Sequence, residues 1–170
     1  LELLDASAAE LVMAGKPAKY GAVFRAPLGT AIPTDATTAL PAAYVHLGYV
    51  SSDGWSRKID KAYATVNAWG GDDVKRSRTE HSVGVDLTLI EILNEDAQKA
   101  KWGTAAVTVV AANAQHGKQL TVSYAGDDTE AAVWVLDMND GGKLQRSVFP
   151  NAIDVTESFE QTFSDEDVIG

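Results

Sequence analysis

The sequence predicts a mainly β fold: a β-sandwich or barrel with one flanking α-helix, over about residues 91–102, and long irregular loops. Three observations carry that expectation. Val83, Val85, Leu87 and Leu89 fall on alternate positions, the period-2 pattern of a half-buried strand. Short apolar runs recur along the chain between clusters of Gly, Asp and Asn that read as turns. Only one interior segment, residues 91–102, combines apolar residues at helical spacing with a glycine stop behind it.

At the start of the chain, Leu1, Leu4, Ala8, Leu11 and Val12 lie close to helical spacing, and Gly15 with Pro17 would end such a helix. Residues 1–19 therefore read as a short helix or as an arm that orders on a neighbour, and residues 20–170 as a single domain. Residues 20–26 read as a strand. Pro27, Gly29, Pro33 and Pro41 then exclude regular structure for about fifteen residues, because proline fixes φ and donates no hydrogen bond. Loops of that length are uncommon in compact domains and usually functional, which points to contact with another subunit. Residues 44–50 alternate as a strand, closed by a turn at Asp53-Gly54. A further strand spans 56–69, with Ile59, Tyr63, Val66 and Trp69 as its large apolar members, until Gly70-Gly71-Asp72-Asp73 breaks it. After polar residues 74–79, the strand ending near Ile90 leads into the helix, whose stripe contains Ile92, Leu93, Ala97 and Ala100. Residues 105–111, 119–124, 131–138, 143–149 and 152–163 follow as strands, divided by turn signals at 115–117, 126–128 and 139–142.

Composition narrows the function. A chain of 170 residues can bury about 70% of the surface its unfolded form exposes, so neither metal nor disulfide is needed to hold it. The absence of cysteine removes a disulfide scaffold and a thiolate metal site. A net charge of −10 argues against a protein that grips nucleic acid, yet suits a surface that nucleic acid must pass without sticking. No window approaches the ~18 consecutive apolar residues that span a bilayer, so no membrane partner is expected.

Chemistry-bearing motifs are missing. His46, His81 and His116 are scattered, with no HExxH or HxxxH spacing to bind zinc. Neither GxSxG, SxxK, a phosphate loop nor GxGxxG occurs, so no catalytic or cofactor-binding residue is nominated. The acidic runs at 72–73, 127–128 and 165–167 lack the spacing of a calcium loop and read as solvated turns. Lys75-Arg76-Ser77-Arg78, flanked by carboxylates, suits inter-strand or inter-subunit ion pairs. Trp55, Trp69, Trp102 and Trp134 read as core or interface anchors, with stacking on sugars as the weaker use.

Five segments, taken in order, carry a resemblance. They are Val23-Phe-Arg-Ala-Pro-Leu-Gly-Thr-Ala-Ile-Pro-Thr34, Leu47-Gly-Tyr-Val-Ser-Ser-Asp-Gly54, Ala68-Trp-Gly-Gly71, Leu87-Thr-Leu-Ile-Glu-Ile-Leu-Asn94, and Trp134-Val-Leu-Asp137 with Phe149-Pro-Asn-Ala152. From about residue 20 onward the sequence resembles the major tail protein, or tail tube subunit, of siphovirus-type long-tailed bacteriophages. The resemblance implies a non-enzymatic β-sandwich of the phage tail tube type that polymerises into stacked hexameric rings. Those rings would form the conduit for genomic DNA during ejection. It also implies no cofactor, partners that are copies of the chain itself together with tape-measure and other tail proteins, and DNA that passes without specific binding. Assembly in the host cytoplasm would place the protein in the virion tail. Relatives generally continue into another strand where residues 164–170 end, so the chain reads as truncated or as a short member.

Within that resemblance, intersubunit or inter-ring contacts are expected from residues 26–43 and 55–73, with Pro27, Leu28, Ile32, Pro33, Trp55 and Trp69 as the named contacts. The alternative is a β-sandwich binding module that recognises a host-surface or carbohydrate ligand through its tryptophans. A hydrolase would need convergent polar groups that the sequence does not display.

Overall fold

The computed structural model describes residues 11–18, 22–124, 126 and 128–161. In chain order the strands are β1 (Val23–Pro27), β2 (Val45–His46), β3 (Val50–Asn67), β4 (Asp73–Leu89), β5 (Val107–Val110), β6 (Gln119–Val122), β7 (Ala132–Asp140) and β8 (Lys143–Ala152). The helix α1 (Glu95–Trp102) lies between β4 and β5. Antiparallel pairing gives a central sheet in the order β2-β1-β7-β8, and two separate two-stranded sheets, β3-β4 and β5-β6. These sheets make a sandwich-like body, and no closed barrel forms among the described residues.

Period-2 alternation sends the central sheet's apolar residues to both faces. Val23, Leu136, Trp134 and Phe149 point to one side, where Leu47, Ala100 of α1 and the start of the β3-β4 ribbon cover them. Ala26, Val133, Val135, Phe24 and Val148 point to the other, beneath Leu40 and Tyr44. Val23, Leu47, Val133, Val135 and Leu136 are fully buried, and each contributes about 1.5–3 kcal/mol through the apolar surface it removes from water.

The second face explains the Pro-rich loop. Residues 28–44 have no regular structure, as the prolines dictate, but they are pinned inside the subunit. The Tyr44 hydroxyl donates to the Ala31 carbonyl (3.1 Å). Asp35 accepts from the backbone N–H and hydroxyl of both Thr37 and Thr38, at 2.6–2.8 Å. Those bonds, led by the Thr38 hydroxyl, hold the Asp35 carboxyl well below the usual carboxylate range. Arg146 of β8 donates through Nη1 to the Asp35 and Thr38 carbonyls, both at 2.9 Å, while its Nε and Nη2 grip Asp137 of β7 at 2.7 and 2.8 Å.

Local chemistry shifts several expected boundaries. α1 starts at Glu95 rather than at 91 because Asn94 caps it, its side chain accepting from the N–H groups of Asp96 (3.1 Å) and Ala97 (3.4 Å). Asp53-Gly54 is not a turn: Gly54, at φ +73°, sits at an irregularity inside β3, so the strand bends and continues. The expected strand over 105–111 opens as a 3₁₀ turn, Thr104–Ala106, before β5. The strand expected over 143–149 runs on to Ala152, and the separate strand expected over 152–163 does not form over 153–161, which join no ladder, consistent with their run of Asp, Glu, Ser and Thr; residues 162–163 lie outside the described residues. The helix or arm expected at 1–19 falls mostly outside the described residues. Of those described, Pro17 bridges Met138, and Lys16 and the Ala14 N–H bind Asp140 at 2.8 and 2.9 Å.

The expected strand over 44–50 is interrupted at Leu47–Gly48-Tyr49 for a steric reason. Gly48 has φ +90°, and a Cβ there would overlap the Glu91 carboxylate, which accepts from the Tyr49 N–H (3.0 Å) and the Asn94 amide (3.1 Å). Gly48→Ala is expected to cost about 1 kcal/mol or more, read as a lower denaturant midpoint at unchanged m-value.

Candidate assembly surface

Among the described residues, most of the β3-β4 ribbon belongs to no core. Its strands of 18 and 17 residues pair only with each other, so both outer edges carry unpaired backbone groups among the described residues. Val50, Trp55, Val85, Leu87 and Leu89 anchor its base on the central sheet. Beyond Ile59 and Val83 the ladder runs on to Asn67 and Asp73, a projection of roughly 25 Å at the rise of an extended strand. In that outer part Ile59, Tyr63, Val66, Val74 and Val83 remain 43–63% exposed, an apolar surface along the ribbon that the described residues do not cover.

The tip is a built turn rather than a frayed end. Ala68 N–H donates to the Asp72 carbonyl (2.7 Å), Gly71 N–H to the Ala68 carbonyl (3.0 Å), and the Asn67 amide to Asp73 (2.9 Å). Gly70 and Gly71, both at positive φ, allow the reversal that holds Trp69 out as a fully exposed indole. A side chain of that size normally buries 150–250 Å².

The residues singled out from sequence fall in three places. Pro27 ends β1, paired with Ala132, and Leu28, Ile32 and Pro33 follow in the loop; Leu28 and Ile32 are about half exposed, Pro27 is exposed and Pro33 half-buried. Trp55 lies at the ribbon's base, half-buried against the subunit's own core, with only its remaining surface free for a neighbour. Trp69 stands at the opposite end of the ribbon. Of the other tryptophans, Trp134 packs on the core, and Trp102 meets Tyr124 and Phe159 edge-on at 4.7 and 5.4 Å. Among the described residues no group of three or more His, Asp or Glu side chains could hold a metal ion.

Sequence reading missed the continuity of the ribbon, because Asp53-Gly54 and the polar stretch 74–79 look like interruptions. The available signal was alternation across both: opposed pairs such as Ile59 with Val83 and Tyr63 with Arg78 require one hairpin turning at 68–72.

The described residues thus form a mainly β, sandwich-like body whose longest hairpin they leave uncovered. A family model described as phage tail tube protein matches residues 9–169, and no curated protein matches the sequence. The chain belongs to the phage tail tube protein family. Its role is structural: a virion component that self-assembles, with other tail proteins, into a tube.

Proposed function

We propose that copies of the chain form stacked hexameric rings, the tail tube of a siphovirus-type phage through which genomic DNA is ejected. The observation that carries this reading is the β3-β4 ribbon, which the described residues of one subunit leave uncovered and which a ring or stack would cover. Tape-measure and other tail proteins would be its partners, and assembly would take place in the host cytoplasm. Pro27, Leu28, Ile32, Pro33 and the free surface of Trp55 would add contacts between subunits or rings, and Trp69 would anchor each ribbon at its tip. The acidic balance supports a conduit, since a negative wall repels phosphate and lets DNA slide.

Negative-stain images of concentrated protein should show tubes of regular striation. Trp69→Ala should leave the thermal midpoint of the dilute subunit unchanged, because the side chain is fully exposed among the described residues, yet raise the protein concentration needed for tube formation at least tenfold. A compact monomer with saturable sugar binding and no tubes would return the alternative of a ligand-binding module.

A further inference from the structure

The two faces of the ribbon differ in charge. Opposed residues on one face are Trp55/Leu87, Arg57/Val85, Ile59/Val83, Lys61/His81, Tyr63/Arg78 and Thr65/Arg76. That face carries four cations and, in the Asn67/Asp73 pair beside the tip, a single carboxylate, and Arg76 lies 4.5 Å from the centre of the Tyr63 ring. The other face is Ser56/Asp86, Lys58/Gly84, Asp60/Ser82, Ala62/Glu80, Ala64/Ser77 and Val66/Lys75, with Asp60, Glu80 and Asp86 against Lys58 and Lys75. Arg57, Lys61, Arg76 and Arg78 form no ion pair among the described residues, whereas Lys58 on the acidic face pairs with Asp60 at 3.2 Å.

Charge is divided the same way between ribbon and body. Residues 50–89 contain six cations and six carboxylates, whereas the described residues outside them contain seven cations and eleven carboxylates, so among the described residues the excess negative charge lies outside the ribbon. We infer that the cationic face of the ribbon docks on the acidic body of a second copy of this chain, leaving the carboxylate face turned to solvent. Continuity argues for the same side. Trp55, Val85 and Leu87, at the base of the cationic face, already pack on the subunit's own body, and Ile59, Val83 and Tyr63 extend that apolar ridge outward uncovered. Apolar contact would supply burial, and the unpaired cations would select an acidic partner and fix which face is turned inward.

This inference rests on the tube reading, and the test separates the two. Arg57→Glu/Arg78→Glu on one face and Lys58→Glu/Lys75→Glu on the other change net charge equally, so overall repulsion is the same in both. Sedimentation and electron microscopy of the full chain should show the first pair raising the concentration for association at least tenfold, and the second shifting it less than twofold. Arg57→Gln/Arg78→Gln should fall between the first pair and the wild type, and wild-type association should weaken from 50 to 500 mM salt. Tubes that respond equally to both charge reversals, or association indifferent to salt, would overturn the inference and leave the tube reading standing. Wild-type protein that never associates would overturn both. If a fluorescent DNA duplex binds wild type and the first pair abolishes that binding, the face takes phosphate rather than a second copy.

Discussion

Replacing residues 60–82 with Asn-Gly is expected to give a folded monomer that forms no tube. Ile59 and Val83 face each other in the ladder, so a two-residue turn of positive-φ type closes the shortened hairpin without a change of register. Everything that anchors the ribbon survives, since Trp55, Val85, Leu87 and Leu89 all lie on the body side of the cut. What is lost is the exposed outer length with Tyr63, Val66, Trp69 and Val74, none of which is buried in the subunit. The unfolding midpoint should therefore stay within a few degrees of the wild type, while electron micrographs show no tubes at any attainable concentration. Wild-type tubes from this variant would mean that assembly runs through another surface.

Arg146→Ala should produce the largest loss of stability from a single substitution. The Arg146 side chain is 8% exposed and Asp137 18%, so the pair is well removed from water, and Asp137 raises the Arg146 pKa further. Removing one partner of a buried pair leaves the other charge uncompensated, at a cost of about 3–5 kcal/mol. For a chain of this size, that corresponds to a fall of roughly 10 °C in the thermal midpoint. The substitution also frees the Asp35 and Thr38 carbonyls, and hydrogen exchange should speed up through residues 28–43 more than in β5 or β6. Arg146→Lys keeps the charge but not the fork that reaches Asp137 and the loop together, so it should recover only part of the loss.

How much could be read in advance depended on the range of the interaction concerned. Strands β7 and β8 were legible because alternation and the Gly141-Gly142 turn are local signals that agree. The helix was legible from its stripe, and its start was misplaced because the capping geometry of Asn94 depends on Glu91 and the turn before it. The Pro-rich loop was recognised as irregular, but the other half of its explanation sits more than 100 residues away, in Arg146. From sequence it looked like a segment with little use inside one domain; the fold shows that Leu40 and Tyr44 cover a face of the central sheet. Of the candidate contacts, Trp69 is legible in sequence as a large apolar residue beside a glycine break, yet its exposure follows only once the ribbon is seen to turn there.

The ribbon's isolation also has a kinetic side. Two strands without a covering layer are marginally stable in water, so an unassembled subunit holds its body firmly and its ribbon loosely. The first subunits to meet must hold each other's ribbons in shape while gaining few contacts; one that reaches an existing end meets a surface already in order. Growth from an end is then faster than starting anew, and stray nuclei stay scarce even in a crowded pool of subunits.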